Sequence, residues 1–194
     1  MAGNRLDQRR TPGLRDAHSI RFRCARALLA QVLALLLFIA APVLAGTPGE
    51  VAVGGSLREA RLNGLTVPPS KLSAFRGKPL IINVWASWCG PCRAEMASLD
   101  SLSRRYRGKP FKVIGISTDD YPDKAYDFLE RSGISFENYI DAKLELENML
   151  GANRLPLTLL IDAQGKVLAK HYGARDWDSV ESRQLIATAF GLKL

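Results

Sequence analysis

Trp85-Ala86-Ser87-Trp88-Cys89-Gly90-Pro91-Cys92-Arg93-Ala94-Glu95 carries two of the three cysteines in the chain, separated by two residues. Cysteines at that spacing close a small disulfide ring when the first ends a loop and the second begins a helix. The flanking sequence predicts that arrangement. Upstream, Pro79-Leu80-Ile81-Ile82-Asn83-Val84-Trp85 is an apolar run bounded by Gly77-Lys78, the pattern of a strand buried on both faces. Downstream, Met96, Leu99, Leu102 and Tyr106 recur at helical spacing until Gly108-Lys109-Pro110, which predicts a helix to about Arg107. Cys89 therefore stands at a strand-to-helix junction, where free amide N–H groups and the positive end of the helix dipole favour a thiolate. That makes Cys89 the better nucleophile and Cys92 the resolving thiol. Pro91 lacks an N–H, so it fits the first helical turn and stiffens the backbone between the sulfurs.

A CxxC pair can also be half of a zinc site or two buried cysteines. Zinc takes about four ligands, and beyond this pair the chain offers only Cys24 and two histidines. Trp88-Cys89-Gly90-Pro91-Cys92 resembles the active site of the thioredoxin-like superfamily. Asn83 to Cys89 followed by Cys92-Arg93-Ala94-Glu95-Met96 resembles its TlpA and ResA-like branch, and the likeness covers most of the chain after the leader. The resemblance implies an α/β thioredoxin-like fold: a central mixed β-sheet flanked by helices, with an N-terminal hairpin and a central insertion. It also implies that Cys89, Cys92 and Glu95 are catalytic, with Trp88, Gly90, Pro91, Leu155 and Pro156 on the substrate-binding surface. No metal and no cofactor are expected beyond the redox-active disulfide Cys89–Cys92.

The N-terminal part reads as an export leader. Seven arginines, from Arg5 to Arg26, precede the apolar run Ala27 to Ala45, in which Pro42 and Val43-Leu44-Ala45 form a helix breaker and a small-residue cleavage site. The run has 19 residues, close to the roughly 20 that span a bilayer. Residues 1–45 are thus a signal peptide that is removed or an anchor that stays. The arginines place the domain on the far side of the inner membrane, in the periplasm. Without the leader's seven arginines and two aspartates the formal charge drops from +8 to +3, which excludes nucleic acid as a partner by composition. Only Cys89 and Cys92 then remain, in a compartment that permits disulfides.

Residues 46–56, rich in glycine, read as a linker, and 57–194 as the domain. Leu57 to Val67, with Asn63-Gly64 at its centre, carries a hairpin-turn signal. Phe111 to Ser117 is a second core strand. A helix through Phe128 and Leu129 closed by Gly133, a strand Glu137 to Ile140, and a helix ending near Gly151 resemble the central insertion of the branch. Leu157 to Ile161 and Val167 to His171 form an antiparallel hairpin, and Asp178 caps a last helix whose buried side is Leu185, Ile186, Ala189 and Phe190.

Several residues outside the CxxC take on roles through the resemblance. In the family, the proline before the final hairpin is cis and lies against the dithiol, while the preceding residue offers its backbone to a bound peptide; here these are Pro156 and Leu155. Cis bonds make up only about 5–6% of X–Pro bonds, so the local sequence alone predicts trans. Glu95, three residues after Cys92, faces the same side of the helix and is expected to take the proton of the resolving thiol. Asn83 stands where thioredoxin carries a buried aspartate, so that proton route is missing. His171 reads as a surface or packed histidine. The expected activity is reduction of protein disulfides in cytochrome c or cytochrome oxidase maturation. The clients are apocytochrome c or copper-site assembly proteins, and a membrane electron donor restores the dithiol. The same dithiol also suits a Cu(I) carrier, through two soft thiolates, or a thiol oxidase.

Overall fold

The computed structural model of the protein describes residues 48–107 and 109–194. The expected leader, with Cys24 and the segment Ala27 to Ala45, lies outside the described residues. Among the described residues no helix is long and apolar enough to cross a membrane. In chain order the strands are β1 (Arg61–Gly64), β2 (Ser70–Lys71), β3 (Leu80–Trp85), β4 (Lys112–Ser117), β5 (Glu137–Ile140), β6 (Leu157–Ile161) and β7 (Val167–Tyr172). The helices are α1 (Gly90–Tyr106), α2 (Pro122–Ser132), α3 (Glu145–Leu150) and α4 (Val180–Phe190), with a 3-10 turn at Leu72–Phe75.

The continuous apolar run of β3 is buried along its whole length because it is covered on both faces. It pairs in parallel with β4 and antiparallel with β6, in a mixed seven-stranded sheet of order β2-β1-β5-β4-β3-β6-β7. Alternation along β3 sorts the core into two layers. Ile81 and Trp85 pack with α1, α2 and α4 through Met96, Leu99, Leu129 and Ile186. Ile82 and Val84 pack on the opposite face with Leu72 and with Leu146 and Leu150 of α3. The architecture is thus the expected thioredoxin-like α/β fold.

Three local readings differ from the structure. Asn63-Gly64 is not a turn: both residues lie in β1, paired with Ile140 and Tyr139 of β5. Gly64 is needed for close approach instead, since a Cβ there would sit 2.1 Å from the carbonyl oxygen of Val67. The chain turns only after it, where the N–H groups of Leu65 and Thr66 both donate to the Asn138 carbonyl. Secondly, Ser179, not Asp178, caps α4 by accepting from the Ser182 N–H. Asp178 is engaged by Arg105 of α1, whose Nε and Nη2 donate at 2.8 and 2.7 Å. Thirdly, the glycine-rich stretch expected as a linker is bonded to the domain well before residue 57. Val51 is buried and its N–H donates to Met149, Gly54 and Gly55 bond to Val167, and Glu50 pairs with Lys170. Gly54 turns the strap with a φ of 89°, and low side-chain content alone does not distinguish such a strap from a free tether.

Gly115 in β4 makes room for the hydrogen bond of a buried tryptophan. A Cβ there would lie 1.9 Å from Asn138 Oδ1 and 2.9 Å from Trp85 Nε1, atoms that are themselves joined at 3.0 Å. Gly115→Ala is therefore expected to push this pair apart and lower stability by roughly 1–3 kcal/mol, read as a reduced denaturant midpoint with an unchanged slope.

Candidate active site

Cys89 and Cys92 are joined by a disulfide with Cα atoms 5.3 Å apart. Cys89 is the N-cap of α1, in extended conformation, and the Cys92 N–H donates to its Sγ at 3.2 Å. The Cys92 N–H of the first helical turn is thus aimed at the Cys89 sulfur, where it would favour a thiolate once the disulfide opens. Cys89 retains 6% of its surface, Cys92 none. An incoming disulfide consequently meets Cys89 first, and Cys92 is reached only from within the protein.

The loop before Cys89 is fastened from the neighbouring strand. Asp119, just beyond β4, accepts from the Ser87 N–H at 2.8 Å and its hydroxyl at 2.6 Å, while Ser117 donates to the same carboxylate. Trp85 is driven inward and is fully buried. Trp88, three residues on, is 71% exposed beside Cys89. Gly90 and Pro91 are exposed at the first turn of α1. The Leu155–Pro156 bond is cis. Because Leu157 pairs with Val84, Pro156 lies at the same end of the sheet as the Cys89 loop. The two cysteines, Trp88, Gly90, Pro91, Leu155 and Pro156 are thereby brought to one end of the molecule.

Glu95 lies one helical turn after Cys92, on the face that α1 turns to the sheet, and is only 2% exposed. Its Oε1 accepts from Asn83 Nδ2 at 2.6 Å. Its Oε2 accepts from the Arg175 N–H and from Trp177 Nε1, each at 3.1 Å. Burial pushes its pKa from 4.5 up to about 7, against these three donors, which hold it down. The segment Gly173–Trp177 that supplies two of them crosses from the cis-proline strand to α1. Gly173 N–H donates to the Pro156 carbonyl, and Trp177 N–H to Ser98 Oγ. Between this segment and α1 runs an open groove of about 650 Å³, with Glu95 in its wall and Ala94, Ser98, Arg175 and Asp176 along it. Solvent thus comes close to an acid that is otherwise sealed in.

Sequence reasoning found Glu95 but not the groups that hold it. Asn83, taken as marking a missing proton route, is in direct contact with the acid: the carboxyl reaches the same place from the helix instead of the strand. Its signal is a lone amide within an apolar strand, because a buried amide needs a partner. Trp177 shows a comparable signal, an isolated aromatic in the polar run Ala174 to Asp178, whose N–H must find an acceptor once the ring is buried. His171 stacks edge-on against Trp177 with ring centroids 5.6 Å apart. Burial, and then the charge of Arg175, lower its pKa. Among the described residues no group of three or more histidine, cysteine, aspartate or glutamate side chains is placed to hold a metal ion.

Comparison with known proteins is consistent with this geometry. A family model described as Redoxin matches residues 52–185. The thiol:disulfide interchange protein DsbE of Vibrio cholerae is 37% identical over 135 residues, covering 66% of this chain and 71% of that protein. The thiol-disulfide oxidoreductase ResA of Geobacillus thermodenitrificans is 32% identical over 117 residues, covering 60% of this chain and 67% of that one. A crystal structure described as a thiol:disulfide interchange protein DsbE from Chlorobium tepidum superposes with a TM-score of 0.66 at 31% identity, over 72% of this chain and 99% of the other.

The raised pKa of Glu95 links stability to pH. Between about 4.5, its unfolded value, and about 7 the folded protein binds more protons than the unfolded one. The stability from burying the neutral acid is therefore fully present below the unfolded value and is lost as pH rises to about 7, by roughly 3 kcal/mol for a shift of that size. Denaturant midpoints of the wild type should fall across this window. Those of Glu95→Gln should lose that component, and parallel profiles for the two proteins would rule out a raised pKa.

Proposed function

The chain belongs to the Redoxin family and is a thiol-disulfide oxidoreductase of the ResA-like, thioredoxin-fold kind; from that premise we propose that it reduces disulfides of client proteins in the bacterial periplasm, in cytochrome c or cytochrome oxidase maturation. The observation that carries this reading is the buried Glu95 one turn from the buried Cys92, with its pKa near neutrality. A reductase must deprotonate its second thiol inside the protein, and in this reading Glu95 accepts that proton.

In the reduced protein the Cys89 thiolate attacks one sulfur of the client disulfide, and the other sulfur leaves as a thiolate. The mixed disulfide then joins Cys89 to the client. Glu95, as carboxylate, takes the proton of Cys92. The resulting thiolate attacks Cys89 Sγ, releases the second client sulfur, and closes the disulfide seen in the structure. Two electrons have passed to the client, whose two thiolates take up protons, one of them from Glu95 through the groove. Trp88, Gly90, Pro91 and the backbone of Leu155 before Pro156 hold the extended client segment around its cysteine. Apocytochrome c and copper-site assembly proteins are the proposed clients, and a membrane electron donor reopens the disulfide. The arginine-rich leader and the apolar run Ala27 to Ala45 support the periplasmic placement.

Two measurements test this. Cys92→Ser is expected to accumulate covalent complexes with client and Cys89→Ser to form none; equal trapping by both would reverse the roles of the two thiols. The redox potential of the dithiol is expected near the reducing end of the range, roughly −270 mV, and a value near roughly −120 mV would make the protein an oxidase. Stoichiometric retention of Cu(I) without exchange on a protein disulfide would make it a carrier.

A further inference from the structure

The fully buried amide of Asn83 is half satisfied. Its Nδ2 donates to Glu95 Oε1 at 2.6 Å and to Thr158 Oγ1 at 3.0 Å, while its Oδ1, equally buried, has no hydrogen-bond partner among the described residues. A buried amide oxygen left alone in an interior is unusual and unfavourable. Its position beside a carboxyl group gives it a use.

As carboxylate, Glu95 accepts from three N–H donors and needs nothing else. As carboxylic acid, it carries an O–H that must itself find an acceptor. Oε2 already faces two donors, the Arg175 N–H and Trp177 Nε1–H, so the proton belongs on Oε1, toward Asn83. With the amide as it stands, that O–H would meet an N–H. A half-turn of the amide about its last side-chain bond exchanges two groups of nearly equal size and presents Oδ1 to Oε1. The Thr158 hydroxyl, donor as well as acceptor, then donates to the same oxygen. We infer that Asn83 is a positioning residue whose amide reverses with the protonation of Glu95, donating to the carboxylate and accepting from the acid.

This inference rests on the reading that Glu95 takes the proton of Cys92; it supplies the buried acid with an acceptor, while the N–H groups of Asn83 move to the place where Oδ1 had no partner among the described residues. Leucine at position 83 would serve neither state, and an ionised aspartate could only accept. The other groups around Glu95 do not offer such an exchange. Cys92 and Cys89 are the proton source and the nucleophile on α1, Thr158 on β6 contacts the amide, and His171 on β7 lies behind the Trp177 ring. On the crossing segment the guanidinium of Arg175 lies over that ring, Asp176 lines the groove, and Asp178 is occupied by Arg105 and Arg183. A pKa of about 7 for Glu95 means that both amide orientations are populated at neutral pH.

The test is a pH titration of the oxidised full-length protein by nuclear magnetic resonance, following the Glu95 carboxyl carbon and the Asn83 side-chain amide protons together. Both sets of signals are expected to move with one midpoint. Asn83→Leu, which keeps the shape and removes both hydrogen-bonding ends, should raise the Glu95 midpoint by about one pH unit, because the lost bond to the carboxylate is charge-assisted and stronger than the lost bond to the acid. It should also slow release of client from the mixed disulfide about fivefold at pH 7, because the carboxylate fraction falls by that factor. Higher pH should restore the rate, which a merely unstable variant would not show. Amide signals that stay flat while Glu95 titrates, or an unshifted midpoint in Asn83→Leu, would overturn the inference. If Glu95→Gln releases client at the wild-type rate, the catalytic reading of Glu95 fails instead, and the titration of Asn83 still decides whether the amide reverses.

Discussion

A carboxyl group held out of water next to a reactive thiol is the constraint to which this structure answers. Desolvation drives Glu95 toward its neutral form, and three N–H donors pull it back. Those donors come from β3 and from the segment after β7, so helix, central strand and crossing segment must all be in register for the acid to be held. The segment is latched to α1 at three heights: through Glu95, through Ser98, and through the paired contacts of Arg105 with Asp178. Glu95, Ser98 and Arg105 are spaced by three and seven residues, one stripe of a helix. The face that positions the acid also fixes the chain that seals it.

The nucleophile is prepared by a different device. Cys89 gains its donor from the helix that it caps, and Asp119 pins Ser87 so that the strand-to-helix turn keeps its shape. Burial then separates the two sulfurs by function. Cys89 keeps a little exposed surface and Cys92 none; in the proposed reaction the first meets the client and the second is left to the acid one helical turn on.

Much of this was legible in the chain because it is written at short range. The apolar run of β3, the helical spacing of Met96, Leu99 and Leu102, and the proline and glycine boundaries are local signals, and each produced the element it predicted. The Asn63-Gly64 pair was local too, yet it misled: glycine serves close approach as well as turns, and which of the two applies depends on a chain segment passing overhead. The cis bond before Pro156 came only through likeness to a family, since nothing in Leu155-Pro156-Leu157 distinguishes it. Asn83 and Trp177 escaped because their partner lies 12 and 82 residues away in sequence. A buried polar group announces that it has a partner without saying which. Asp178 failed as a cap for the same reason, being taken by an arginine 73 residues distant.

The margins of the sheet have a bearing on what the protein can safely handle. At one side the last strand, β2, is two residues long. At the other, β7 begins beneath the strap, where Gly54 and Gly55 occupy the hydrogen-bonding groups of Val167. An exposed strand edge is a template on which any extended chain can zip up. A catalyst that receives incompletely folded polypeptides through a cysteine would otherwise hold them by their backbones after the sulfur exchange was done. Blunted at β2 and at the start of β7, the sheet offers little such edge there; in the reading proposed above, contact then falls to the reactive end and release to chemistry at Cys89.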